Sequence, residues 1–187
     1  MAVHACTIIS RNHRAQARVL AATFRRHHPG GTFDVLVLDG DRYPLASNEP
    51  FGVLSPRDLS LDELEFRRMA AAYDAHELAT ALKPWLLRAL LGRYDHAVYL
   101  DSDIALHGSL ERVVELARTH SFVLTPHVTV PLERRTAEPV ETTVLLAGIY
   151  NGGFLAANRD ADDVLGWWAD RLLRECVVAP REARQAD

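Results

Sequence analysis

The chain has 187 residues, 48% of them apolar, which is enough for one core or at most two and excludes a disordered tail or a coiled rod. Lys plus Arg number 21 and Asp plus Glu 25, a formal net charge of −4 with the nine histidines neutral. No basic excess exists to neutralise a nucleic-acid backbone or an anionic membrane, so neither is an expected partner.

The first apolar segment, Val3 to Ile9, is short, β-branched at its end, and runs into Ser10-Arg11-Asn12, which can cap a helix. It lacks the basic region of a signal peptide, and Asn12, His13 and Arg14 follow at once. No apolar run reaches the roughly eighteen residues of a transmembrane helix, and the two cysteines, Cys6 and Cys176, have no paired spacing. A soluble, cytoplasmic protein with reduced thiols is expected. Ala17, Leu20, Ala21, Phe24 and His28 then share one helical face until Pro29-Gly30-Gly31 stops the pattern. Phe33 to Leu38 is a second strand ending in Asp39-Gly40-Asp41, and strand, helix and strand together predict a right-handed unit of a mostly parallel sheet.

Residues 42 to 60, with Pro44, Pro50, Gly52 and Pro56, read as a long surface excursion. From Leu61 to Gly92 helix formers dominate, and Pro84 fits the first turn of a helix running to about Leu91. Ala97 to Leu100 is a third strand delivering Asp101-Ser102-Asp103, after which Ser109 can cap a helix carrying Leu110, Val113, Val114 and Ala117. Phe122 to Leu124 is a fourth strand, Val128 to Thr142 a polar loop, and Phe154 to Ala157 a fifth strand after Asn151-Gly152-Gly153. A last helix begins near Asp160 and carries Trp167 and Trp168, read as core packing and helix rim.

Asp-x-Asp occurs three times, so position has to discriminate. Asp160, Asp162 and Asp163 open a helix, where carboxylates cap N–H groups and complement the dipole. Asp39 and Asp101/Asp103 instead close strands, where open α/β sheets place ligands. Asp39 is a turn residue that could also bond a ribose or base edge. Asp101 and Asp103 would repel one another without a cation, and a hard ion such as Mn²⁺ or Mg²⁺ would bring an anionic substrate with it. Ser10-Arg11-Asn12-His13 contains no glycine, which argues against a dinucleotide dehydrogenase or a P-loop enzyme.

Four ordered segments carry a resemblance: Leu78-Ala79-Thr80-Ala81-Leu82-Lys83-Pro84-Trp85, Val98-Tyr99-Leu100-Asp101-Ser102-Asp103-Ile104, Leu124-Thr125-Pro126-His127, and Gly148-Ile149-Tyr150-Asn151-Gly152-Gly153-Phe154. In that order they resemble bacterial nucleotide-sugar glycosyltransferases of the GT-A fold, most of all the retaining transferases related to glycogenin and the lipopolysaccharide galactosyltransferases. The resemblance implies an α/β fold with a mostly parallel, Rossmann-like sheet covered by helices on both faces. It implies transfer of a hexose from a nucleotide diphosphate sugar, a UDP-sugar being the expected donor, to a hydroxyl of a saccharide or other acceptor.

By the same resemblance Asp101 and Asp103 would hold Mn²⁺ (or Mg²⁺) against the donor diphosphate. Thr7, Ile8, Ser10, Asp39 and Ser102 would line the nucleotide pocket. Lys83 would approach the phosphates or the donor sugar, and Asn151 with Gly152 would sit where the transferred sugar meets the acceptor. Family members continue past the helix holding Trp167 and Trp168, with an Asp-Gln pair near the catalytic centre and commonly a later His. Neither is in this sequence, so residues 1–179 are expected to be a C-terminally incomplete domain, followed by a polar tail over 180–187. Two other readings stand beside this one: a phosphatase with an Asp nucleophile, and a non-catalytic nucleotide-sugar binding module.

Overall fold

The computed structural model describes residues 2–42, 45, 48–130, 144 and 148–177. Six strands form one sheet: β1 (His4–Ile9), β2 (Thr32–Val37), β3 (Gly52–Leu54), β4 (His96–Leu100), β5 (Phe122–Pro126) and β6 (Tyr150–Asn158), in the order β3-β2-β1-β4-β6-β5. β3, β2, β1 and β4 pair in parallel, whereas β6 lies antiparallel to both β4 and β5. Five strands thus run one way and β6 runs back between two of them.

Among the described residues five helices cover the two faces of the sheet, because alternate strand residues point to opposite sides. Ala5, Ile9, Val35, Val37, Val98 and Leu100 pack against α1 (Arg14–His27) and α4 (Glu111–Ala117), through Leu20, Phe24 and Val114 among others. Cys6, Ile8, Leu36, Tyr99 and Leu155 face α2 (Glu63–Ala72), α3 (Ala75–Leu91) and α5 (Asp162–Leu172). The fold expected from the sequence, an α/β sheet covered on both sides, is the fold observed. Among the described residues no helix is long and apolar enough to cross a membrane.

Several boundaries differ from the sequence expectation. Within the excursion after Asp41, Gly52–Leu54 adds the edge strand β3 to β2. Helix formers over 61–92 make two helices, broken at Tyr73-Asp74, where the Asp74 carboxylate accepts from the Glu77 N–H at 2.8 Å and Glu77 accepts from the Asp74 N–H at 2.9 Å. That reciprocal pairing is a capping box and starts α3 anew. Pro84 therefore lies inside α3 and not in a first turn. Leu82, Leu86 and Leu87 on the same helix are fully buried, and their packing outweighs the hydrogen bond that Pro84 cannot make to the Thr80 carbonyl.

Ser10 makes no side-chain cap; Arg11–His13 is a 3-10 turn and α1 begins at Arg14. β6 begins at Tyr150, earlier than Phe154, because Asn151 and Tyr150 pair with Thr125 and Pro126 of β5. Asn158 caps the turn before α5, and Asp162 accepts from Nε and Nη2 of Arg88 at 2.8 and 3.2 Å, tying α5 to α3. Trp168 packs against the core, but Trp167 is exposed. The expected polar tail over 180–187 lies outside the described residues, as does most of the loop between Val128 and Thr142.

Candidate functional site

The reversed direction of β6 builds the site. Antiparallel pairing sets Leu100 opposite Phe154, so the next residue of β4's chain, Asp101, falls opposite Gly153, and the Asp101 N–H donates to the Gly153 carbonyl at 2.8 Å. A residue on Gly153 with a Cβ would collide with Asp101 Oδ2 and stand 3.0 Å from both Asp101 Cγ and Asn151 Oδ1. Gly153 has no positive φ, so its requirement is space and not backbone freedom.

Two donors hold the Asp101 carboxylate. Tyr99 precedes it by two residues and hence shares its side of the strand; the buried phenol donates to Oδ1 at 2.9 Å. Burial and then the neighbouring Asp101 charge push that phenol's pKa well up, which keeps it a donor. Lys83 Nζ donates to the same oxygen at 3.2 Å and to the Gly152 carbonyl at 2.9 Å, and lies 4.7 Å from the centre of the Tyr99 ring. One ammonium therefore bridges α3, the end of β4 and the start of β6.

These groups border a cleft of about 450 Å³ at the carboxyl edge of β1 and β4. Ile8, Ile9, Ser10, His13 and Gln16 line it from the first strand and helix; Ala75, His76, Ala79, Thr80 and Lys83 line it from α3; Tyr99, Asp101, Ser102 and Asp103 close it. Of these, His76, Ala79, Thr80 and Lys83 recur at i, i+3, i+4 and i+7, which is one helical face. Ile8, Ser10, Lys83, Asp101, Ser102 and Asp103, all expected at the site, thus meet in one place.

Thr7 does not reach the cleft. Its neighbours Cys6 and Ile8 pack on the α3 side, so alternation turns Thr7 to the opposite face, where it is fully buried and its hydroxyl finds no partner among the described residues. Asp39 is also apart: its Oδ1 accepts from the Arg11 N–H at 2.9 Å, and it lines a neighbouring depression with Arg11, Asn12 and Arg14. Asn151 folds back, Oδ1 accepting from the Gly153 N–H at 2.7 Å, and Gly152 offers its carbonyl to Lys83; both adjoin the cleft through Lys83 and Asp101. Sequence reasoning gave no site role to Tyr99, Gly153, His13 or His76. The i, i+2 spacing of Tyr99 and Asp101 was the available signal for the first.

Among the described residues no group of three or more His, Cys, Asp or Glu side chains could hold a metal by itself. The two carboxylates present suit a hard divalent cation that draws its other ligands from substrate phosphate oxygens and water, the usual mode for Mg²⁺ at nucleotide sites. Asp101 Oδ2 and the exposed Asp103 are the oxygens left for it, since Oδ1 of Asp101 is already bound twice.

No family model matches the chain. It is 24% identical over 189 residues to the uncharacterised protein YfnF of Bacillus subtilis (strain 168), covering 97% of this chain and 62% of that one. Among solved structures, the bifunctional glycosyltransferase WbbM in its apo form aligns with a TM-score of 0.55 at 13% identity, over 91% of this chain and 34% of its own. The galactosyltransferase LgtC, solved in complex with donor and acceptor sugar analogues, aligns with a TM-score of 0.53 at 17% identity, over 90% of this chain and 60% of its own. The chain thus spans under two thirds of each of these proteins, and across that span it has the GT-A fold of the glycosyltransferases.

Proposed function

We propose that the chain forms the donor-binding part of a glycosyltransferase, which moves a hexose from a nucleotide diphosphate sugar, a UDP-sugar foremost, to a hydroxyl of a saccharide or other acceptor with retention at the anomeric carbon. The observation that carries this reading is the convergence of Asp101, Asp103 and Lys83 at the carboxyl edge of β4, in a cleft large enough for a nucleotide and in a fold shared with glycosyltransferases.

Cleavage of the anomeric C–O bond leaves negative charge on the departing diphosphate, and charge placed beforehand to meet it lowers the barrier. Asp101 and Asp103 would hold Mn²⁺ or Mg²⁺, which would supply Lewis-acid stabilisation of that charge. Lys83 brings a fixed positive charge to the same edge, while Tyr99 fixes the rotamer of Asp101. Ile8, Ser10 and Ser102 form the wall for the nucleoside and phosphates. Gly152 and Asn151, at the start of β6, border the place where sugar and acceptor would meet.

The test is calorimetry of UDP with Mn²⁺ present and then chelated, on wild type and Asp101→Asn. Saturable uptake that needs the cation and falls at least about tenfold in the variant, a difference of about 1.4 kcal/mol, is expected. Equal UDP affinity in all four conditions refutes the assignment. Uptake without transfer from any UDP-hexose would leave a binding module.

A further inference from the structure

The cation usually expected beside two carboxylates has a rival already in place. We propose that Lys83 is the resident counter-charge of Asp101 in the ligand-free protein, so that the site Asp101 forms with Asp103 resists a divalent cation alone and accepts one only together with a nucleoside diphosphate. The inference rests on the donor-site reading above and adds to it an order of charge exchange.

An ammonium has three N–H donors and no acceptor. Lys83 directs one to Asp101 Oδ1 and one to the Gly152 carbonyl, and its charge faces the Tyr99 ring. Its side chain is only 8% exposed, so water neither screens it nor carries it away. The Asp101 side chain is 42% exposed and opens to the cleft. A cation arriving at Asp101 Oδ2 and Asp103 would therefore sit within one carboxylate's width of a fixed positive charge, at a place where the effective dielectric is well below that of water.

Lys83 cannot retreat easily, because the Gly152 carbonyl and the Tyr99 ring hold it. A diphosphate removes the conflict, since its negative oxygens can face both the cation and the ammonium. Cation and nucleotide then favour each other's binding, and by linkage each raises the affinity of the other by the same factor.

The experiment measures Mn²⁺ affinity by paramagnetic resonance of the free ion, with and without UDP, on wild type, Lys83→Met and Lys83→Gln. Methionine keeps the length of the stem, and glutamine keeps a donor for the Gly152 carbonyl; circular dichroism and melting confirm folding. In wild type, UDP is expected to tighten Mn²⁺ at least about tenfold. In each folded variant Mn²⁺ alone is expected to bind about tenfold tighter than to wild type, with a smaller gain on adding UDP. Unchanged or weaker binding of Mn²⁺ alone in the variants overturns the inference while leaving the donor site intact, provided wild type takes up Mn²⁺ with UDP. Wild type that binds the two independently also overturns it, whatever the variants do. Wild type that binds neither overturns the donor-site reading along with it.

Discussion

Replacing Gly153 with alanine adds a single methyl group where the structure has no room for one. The new Cβ would overlap Asp101 Oδ2 and lie 3.0 Å from Asp101 Cγ and from Asn151 Oδ1, all belonging to groups held by other bonds. Relief requires one of two movements. Either the Asp101 carboxylate swings off Tyr99 and Lys83, or β6 draws away and opens the Asp101–Gly153 backbone bond of 2.8 Å. The first loses charge-assisted hydrogen bonds worth about 1.5–3 kcal/mol, and the second is an overpacking cost of about 1–3 kcal/mol. Mn²⁺-dependent UDP affinity should therefore fall by about tenfold or more, or urea stability should drop by about 1–3 kcal/mol. Gly30→Ala, where an added Cβ meets nothing within 4 Å, is the control and should stay within about 0.5 kcal/mol of wild type. Wild-type UDP affinity together with wild-type stability in Gly153→Ala would refute the account of how Asp101 is held.

Phe24→Ala should cost about 3–5 kcal/mol, because Phe24 is fully buried between α1 and the sheet with its ring 5.3 Å from that of Phe33. In a domain of this size that lowers the melting temperature by about 10 °C, and a scanning calorimeter showing a change under about 2 °C would contradict it. Stability should also fall in mild acid. His28 Nε2 accepts from the Leu110 N–H at 2.9 Å, which needs the neutral ring, and burial lowers its pKa; burial lowers those of His4 and His96 as well. The unfolded chain, with imidazoles near about 6.5, then binds protons more readily, so this contribution is complete above about pH 6.5 and lost as pH falls toward the lowered folded values. Urea midpoints should drop between about pH 7.5 and about pH 5.5, and drop less in His28→Gln; equal midpoints at the two values would contradict the sign.

Much of this was legible in the sequence wherever periodicity and burial agree. The α1 face of Ala17, Leu20, Ala21 and Phe24 and the apolar run into Asp101 are patterns that a single local rule reads correctly. β3 was missed because Gly52-Val53-Leu54 is too short to alternate visibly and is a strand only by pairing with β2. The placement of Pro84 failed because a local rule against proline in helices yields to long-range packing of α3 against the sheet. In the site, Asp101 and Asp103 could be singled out by position at a strand end, whereas the orientation of Thr7 depended on which face of β1 lies toward α3. The part played by Gly153 depended on a register formed with a strand about fifty residues away in the chain, which no local window contains.

The position of β6 also bears on how the protein is made. β4 and β5 leave the ribosome before it, yet in the finished sheet they are not neighbours, and each pairs with this later segment, which lies between them. Until Tyr150–Asn158 slots in, the nascent chain carries two unpaired strand borders that can template association with other chains. Closing that gap spans long sequence separations, which slows assembly. The Gly153 carbonyl that accepts from the Asp101 N–H and the Gly152 carbonyl that accepts from Lys83 thus arrive with β6, and until then the Asp101–Lys83 pair lacks that half of its support.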